Sequence, residues 1–355
     1  MLGLVAAGHP ETAEAAAFVL GEGGNAFDAV VAAGFASAVA EPMLTSLGGG
    51  GFCLARPADG EAVLFDFFVD TPGRGAPPAA REPHFVPVTV RFPSADQVFH
   101  VGLGSVAVPG VLAGLLHVHR RLGSRPLAEV VRPAATLARR GVEVTPFQSY
   151  TLGLLLPIVS LSEASGRLYA PGGRPVAPGG RLRNPELADF LEALPRDGGR
   201  RFYQGDLARR IAADMRAEGG LLTEEDLAAY AEQGVVERTP LAVDYRGHRL
   251  LGNPPPSRGA SLVAYGLEEL ARRDPARHAR GGPAHLEALA EVLEAMEAHR
   301  AAPTARATSR GTTHVSVADA RGHVASMTTS NGEGSGYVAP GTGIQLNNML
   351  GEDDL

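Results

Sequence analysis

The segment from Ala26 to Ala40 is almost wholly apolar, and it constrains the fold more than any other part of the chain. Asn25 is a good helix N-cap, Asp28 falls in the first turn, and Pro42 ends the segment. We therefore predict a helix that is buried on most of its sides. A chain of 355 residues with 45% hydrophobic content can bury the substantial core that surrounds such a helix.

Further helices and strands are predicted from apolar periodicity, capping residues and turn signals. Helices are expected at 10–20, 110–121, 127–139, 185–194, 206–216 and 261–272, and after a capping box that begins at Thr223. Strands are expected at 62–69, along the alternating run 241–251, and as a hairpin that starts at Thr312 and returns to Thr329. The segment 72–93 is predicted to be a surface excursion, and 301–311 an exposed linker.

Composition excludes several classes of chemistry. All 32 basic residues are Arg, so a Schiff-base lysine, a phosphate-loop lysine and a Ser-Lys dyad are impossible. The net charge of -7 and the dispersed arginines argue against a nucleic-acid partner. No Gly-x-Ser-x-Gly elbow occurs, which disfavours a serine hydrolase of that kind.

The cysteine and histidine content predicts neither a disulfide nor a metal site. Cys53 is the single cysteine, and its apolar, strand-like surroundings indicate a buried, inert thiol. His117 and His119 lie two positions apart on a predicted helix, so they face different directions and make a poor metal pair. No membrane-spanning run and no signal peptide is recognised in the sequence, which leads us to expect a cytoplasmic protein.

A flexible linker that leads into a strand at Thr312 is the arrangement that an N-terminal nucleophile needs. The Thr312 hydroxyl can attack the Gly311 carbonyl, and hydrolysis of the resulting ester frees an α-amine beside the same hydroxyl. That amine has a reference pKa of about 7.7–8.0, so it can act as the general base without Lys or His. On the pattern alone, a Thr-Thr-His strand is more often just a strand, and His314 is more simply a structural histidine.

Several further motifs, which follow one another along the chain, strengthen the hypothesis that Thr312 is a nucleophile. They are the segment 23–29 with Glu41-Pro42, the four glycines before Phe52, the segments 105–110 and 312–317, and the run 340–344 with 346–348. In this set the chain resembles the γ-glutamyltransferase (γ-glutamyltranspeptidase) family of N-terminal-nucleophile (Ntn) hydrolases. The resemblance implies an α+β fold, the αββα four-layer sandwich, and a precursor that cleaves itself between Gly311 and Thr312. It implies no cofactor and no metal.

The resemblance also implies roles for individual residues. Thr312 matches the catalytic and processing threonine, and Ser330 the hydroxyl residue that supports its activation. Asn331 resembles the asparagine that contacts the substrate α-carboxylate, and Asp354 the aspartate that holds its α-ammonium. We expect one Ntn-hydrolase-like domain over 1–355, with 1–311 as the large part and 312–355 as the start of the small part. The two parts are expected to pair after cleavage, and a homo-oligomer is compatible with the sequence.

Three departures from the family pattern bear on the substrate. Phe68 follows Asp66-Phe67 where the family has the arginine that binds the α-carboxylate. Met349 follows the Asn pair where the family has a polar residue. The sequence given stops at Leu355, before the serine pair and the diglycine oxyanion hole of the family's small subunit, which suggests a truncated chain.

Three readings of the function therefore stay open. The first is a hydrolase or transferase that acts on glutathione and other γ-glutamyl amides, with water, an amino acid or a peptide as acceptor. The second is a related acylase for glutaryl-type amides, which Phe68 and Met349 favour. The third is a truncated, non-catalytic remnant.

Overall fold

The computed structural model describes residues 2–73, 82–93, 95–255, 257–300 and 312–352. The helices in this part of the chain are α1 (Pro10–Gly21), α2 (Ala26–Ala40), α3 (Val111–Leu122), α4 (Leu127–Arg140), α5 (Pro146–Leu154), α6 (Leu156–Val159), α7 (Glu163–Tyr169), α8 (Pro185–Asp197), α9 (Arg200–Gln204), α10 (Asp206–Ala217), α11 (Glu224–Gln233), α12 (Arg258–Arg273) and α13 (Pro283–His299). None of them is both long enough and apolar enough to span a bilayer.

The strands in the described ranges are β1 (Gly3–Ala7), β2 (Gly50–Arg56), β3 (Val63–Phe67), β4 (Val86–Arg91), β5 (Asp96–Val101), β6 (Val142–Glu143), β7 (Arg181–Leu182), β8 (Val236–Arg238), β9 (Leu241–Tyr245), β10 (His248–Gly252), β11 (Thr313–Asp319), β12 (Val324–Ser330), β13 (Val338–Ala339) and β14 (Ile344–Gln345). Six of them form the main sheet, in the order β1-β11-β12-β2-β3-β8, and every neighbouring pair is antiparallel. The predicted hairpin after Thr312 is confirmed as β11 and β12, and neither of these strands is at an edge of the sheet.

Helix α2 is the buried helix that the sequence predicted. Asn25 accepts a hydrogen bond from the Asp28 backbone N–H at 2.8 Å, and the Asp28 carboxylate accepts one from the Asn25 N–H at 2.9 Å. Every residue of α2 is buried, because β11 and β12 lie on one side of it and α1, α3 and α4 surround the others. Gly34 allows this approach, since a Cβ there would stand 2.6 Å from Leu115 and 2.8 Å from Met327.

The main core lies between the helices and one face of the six-stranded sheet. Val315 and Val317 of β11 point into it with Met327 and Cys53, whereas alternation places His314 on the opposite face. Among the described residues, that opposite face carries no helical cover comparable to α2, and Leu4 on it is 65% exposed. A helical layer thus packs on one face of the main sheet, in keeping with the predicted α+β class.

Two local predictions were wrong. Part of the segment 72–93 forms β4, which pairs with β5 and buries Val88 and Val90 in a second, smaller core. The Pro, Gly and Arg content of the segment hid the alternating valines, and its residues 74–81 lie outside the described ranges. The run 241–251 is two strands, since Arg246 and Gly247 turn the chain with positive φ angles of 50° and 78°.

Candidate active site

Thr312 lies exposed immediately before β11, at one end of the central hairpin. Thr313 pairs with Thr329, so Thr312 and Ser330 are the next residues outward on the two antiparallel strands. Thr313 and Thr329 are buried on the helix side, and alternation therefore places the Thr312 and Ser330 side chains together on the opposite face. Two of the five predicted site residues thus lie on neighbouring strands at the same end of the sheet, and a third, Asn331, directly follows Ser330. Gly311 and Asp354, the other two, lie outside the described residues.

The start of β11 is fixed from the helix side by Glu41. Its Oε1 atom accepts a hydrogen bond from the Thr313 hydroxyl at 2.9 Å, and its Oε2 atom accepts one from the Thr12 hydroxyl at 2.9 Å. Glu41 directly follows α2 and is only 5% exposed. A buried carboxylate with two hydroxyl donors is well satisfied and geometrically restrictive. Glu41-Pro42 belongs to a motif in the sequence, but no role for Glu41 could be predicted from it, because the partner of Glu41 lies 272 positions away.

Ser330 ends β12 beside the glycine-rich loop. Its hydroxyl accepts a hydrogen bond from the Gly332 N–H at 3.2 Å, and Ser330 pairs with Gly50 in the sheet. A Cβ at Gly49 would stand 2.1 Å from the Ser330 carbonyl oxygen. The glycines therefore serve the close approach of two chain segments.

Asn331 is 1% exposed, and neither of its side-chain amide atoms has a hydrogen-bond partner within the described part of the chain. Gln345, also buried, leaves its Nε2 atom without a partner there. Gln345 was not among the site residues predicted from the sequence. Its position between the apolar residues Ile344 and Leu346 could have indicated a buried amide.

The Asn pair at 347–348 holds the surrounding loops together. The Asn347 amide donates to the carbonyls of Gly48 at 2.8 Å and Ala107 at 3.0 Å, and its oxygen accepts from the Ala107 N–H at 3.1 Å. The Asn348 oxygen accepts from the N–H groups of Glu333 and Gly334. Motifs that are far apart in the sequence therefore converge around the end of β12.

Phe68 stands where the resemblance implies an arginine, and its ring packs on that of Phe52. The rings of Phe68 and Phe52 stack with centroids 5.5 Å apart and planes 11° from parallel. The neighbouring Arg238 is bound to Asp66, with its Nε atom 2.8 Å from the carboxylate. This corner therefore presents an apolar surface, and its nearby guanidinium is already paired.

His314 and Cys53 are not activated groups. The His314 ring contacts the hydroxyls of Thr328, Ser316 and Ser326 at 2.7–3.1 Å, and burial lowers the pKa of its imidazole below the usual value. This confirms the prediction of a satisfied structural histidine. Burial raises the pKa of the Cys53 thiol to about 12, so the thiolate is suppressed.

Comparison with known proteins gives a consistent result. A family model described as Gamma-glutamyltranspeptidase matches residues 12–305 and 298–353. The Acylase ACY 1 proenzyme of a Pseudomonas species is 34% identical over 98% of this chain and 69% of its own length. The Glutathione hydrolase proenzyme of Escherichia coli is 30% identical over 98% of this chain and 66% of its own length.

The fold is also that of solved members of this group. The γ-glutamyltranspeptidase of Helicobacter pylori superposes with a TM-score of 0.71 and 29% identity, over 84% of this chain and 83% of that one. This likeness confirms the Ntn-hydrolase fold that the sequence motifs predicted.

Proposed function

Because the chain belongs to the γ-glutamyltranspeptidase family of Ntn hydrolases, we propose that it cleaves itself before Thr312 and then hydrolyses or transfers γ-glutamyl groups. The single observation that carries this proposal is the place of Thr312. It stands exposed at the start of a strand that Glu41 anchors, on the same face as Ser330.

The proposed self-cleavage needs only groups at this strand end. The Thr312 hydroxyl attacks the Gly311 carbonyl carbon, the C–N bond breaks, the hydroxyl proton passes to the Thr312 nitrogen, and the acyl group stays on the hydroxyl oxygen as an ester. Water then hydrolyses the ester and leaves a Gly311 carboxylate and a free Thr312 α-amine. That amine accepts the hydroxyl proton during catalysis, and Ser330 supports the hydroxyl through a hydrogen bond.

The same nucleophile carries the acyl transfer. Thr312 forms an ester with the γ-glutamyl carbonyl while the amide C–N bond breaks and the leaving amine takes the proton. Water or the amine of an amino acid or peptide then resolves the acyl-enzyme. Asn331 and Asp354 are the proposed contacts for the substrate α-carboxylate and α-ammonium, and glutathione is the proposed donor by analogy with the Escherichia coli relative.

Denaturing electrophoresis and N-terminal sequencing of the purified chain test this proposal. We expect a fragment that begins Thr-Thr-His, and we expect Thr312→Ala to leave the chain intact. An uncut band in the unmodified protein, together with no acyl-enzyme, would instead support the non-catalytic remnant.

A second candidate, an acylase for glutaryl-type amides, is favoured by the Phe68–Phe52 stack. An aromatic surface in place of a guanidinium lowers the attraction for the head-group carboxylate, and it suits an acyl chain that carries fewer charged groups than the γ-glutamyl group does. The 34% identity to a Pseudomonas acylase points the same way. Rates with γ-glutamyl-p-nitroanilide and glutaryl-p-nitroanilide separate the two candidates, since only the former carries the α-ammonium.

A further inference from the structure

Three buried amide atoms lie at the turn after β12 with no hydrogen-bond partner in the described ranges. They are Nδ2 and Oδ1 of Asn331 and Nε2 of Gln345. Asn331 is 1% exposed and Gln345 is 2% exposed, so bulk water does not satisfy them. Buried polar groups in native proteins are almost always bonded, and a cluster of unbonded ones indicates that a ligand or an ordered water completes the site.

The two amides converge on one point above Gly334. A Cβ at Gly334 would stand 2.4 Å from Nε2 of Gln345 and 3.2 Å from Nδ2 of Asn331. Gly334 has a φ of 80°, so its conformation also favours glycine. The absence of a side chain at this position therefore lets the two amide nitrogens lie side by side over the same glycine.

Acidic groups border the same turn. The Glu333 carboxylate lies 3.4 Å from the Asn348 amide nitrogen, and a Cβ at Gly332 would stand 2.4 Å from Oε1 of Glu352. Amide N–H groups donate to oxygen anions, and carboxylates attract cations. The turn therefore offers donors and acidic groups close together, which is the arrangement that suits a head group carrying both a carboxylate and an ammonium.

We propose that Gln345 is a specificity-determining residue whose amide, with that of Asn331, binds the carboxylate of the acyl donor's amino-acid head group. This proposal rests on the proposed function and assigns to Gln345 part of the recognition that is missing at Phe68. Two neutral amides bind a carboxylate more weakly than a bidentate guanidinium does, so the site tolerates head groups that an arginine site would reject.

Three anilide donors distinguish recognition of the head-group carboxylate from recognition of the ammonium. γ-Glutamyl-p-nitroanilide carries both charged groups, glutaryl-p-nitroanilide lacks the ammonium, and 4-aminobutyryl-p-nitroanilide lacks the carboxylate. We expect Gln345→Met, which keeps the side-chain volume, to lower kcat/KM about 10- to 100-fold for the first two donors relative to the third. Gln345→Glu should lower this ratio further through repulsion of the carboxylate.

The matched control is Gln204→Leu, since Gln204 contacts Glu232 on the surface. It should leave the ratio unchanged. A uniform loss with all three donors in both Gln345 variants would show a purely structural role. An unchanged ratio would show that an ordered water completes the site. Either result overturns the proposal.

A binding measurement separates this proposal from the proposed function. In the Thr312→Ala background, calorimetry with L-glutamate and 4-aminobutyrate reports carboxylate recognition without turnover. We expect Gln345→Met to weaken glutamate binding about 10-fold or more. If the chain never cleaves itself but this difference is found, only the proposed function fails. If cleavage occurs and the difference is absent, only the role of Gln345 fails.

Discussion

The Thr313 hydroxyl and the Glu41 carboxylate form a buried hydrogen bond of 2.9 Å that ties the first residue of β11 to the end of α2. The bond lies on the helix side of the sheet, and the residue that donates it directly follows Thr312 in the chain. The position of the proposed nucleophile therefore depends on a carboxylate that belongs to a different part of the chain.

Glu41→Gln tests this anchor. The amide keeps one acceptor oxygen but replaces the other with a donor, so either Thr12 or Thr313 must change from donor to acceptor, and both bonds lose the charge of the carboxylate. We expect a loss of about 1–3 kcal/mol in the free energy of unfolding, measured by urea denaturation in the Thr312→Ala background. The exposed Glu14→Gln on α1 should change it by less than about 0.5 kcal/mol. Equal effects of the two substitutions would argue against the anchor.

Ser330→Ala tests the second hydroxyl at the strand end. Loss of the hydrogen bond that we propose between this hydroxyl and that of Thr312 should slow self-cleavage about 10- to 100-fold while the fold is retained. The rate is followed by electrophoresis after synthesis in a cell-free system. Ser326→Ala, which removes a contact to His314 further along β12, should cleave at the normal rate. A Ser330→Ala rate equal to that control would remove Ser330 from the mechanism.

Asp319 is predicted to make stability depend on pH. Burial opposes its ionisation, but hydrogen bonds from the N–H groups of Ala26, His323 and Arg321 outweigh this and lower its pKa. The ionised form therefore stabilises the protein above the unfolded pKa of about 3.9, and this stabilisation is lost as pH falls through the lower folded pKa.

Asp319→Ala should consequently cost about 1–3 kcal/mol at pH 7, with a difference from the unmodified protein that shrinks below about pH 4. Chemical denaturation at several pH values measures it. Asp59→Ala, at an exposed turn, is the control. A cost that stayed constant down to pH 2 would contradict the role of the charge.

His314 should make stability depend on pH over a higher pH range than Asp319 does. Its pKa is lowered by burial, so the folded state resists protonation that the unfolded state accepts below about pH 6.5. Stability should therefore fall as pH drops from about 6.5 towards the folded pKa. His314→Gln should make Tm less dependent on pH between 7.5 and 5 than it is in the unmodified protein. A pH profile of Tm that is unchanged by the substitution would refute this reading.

The parts of the fold that sequence predicted well depend on local signals. Helix α2 has its cap, its first-turn acid and its terminating proline next to one another, and the hairpin after Thr312 alternates along both strands. Strand β4 was missed because its proline- and arginine-rich neighbourhood outweighed three alternating valines. Its burial depends on packing with helices distant in sequence, which local composition does not encode.

The site was predictable only as far as the motifs reached. The pairing of Thr313 with Thr329 follows from the hairpin, so the meeting of Thr312 and Ser330 could be expected. The bond between Glu41 and Thr313 spans 272 positions and has no local signature. The convergence of Gln345 on Gly334 depends on turn geometry that three positive-φ glycines create, and it needs coordinates to be seen.

The exposure of Thr312 at the start of β11 has a practical consequence in a chain without lysine. An amine-selective reagent finds a single reactive group, the original α-amine, on an uncut molecule. Cleavage before Thr312 creates a second one in an accessible position. The number of labels that each molecule takes up under native conditions therefore counts the processed fraction directly, with no separation of the two pieces.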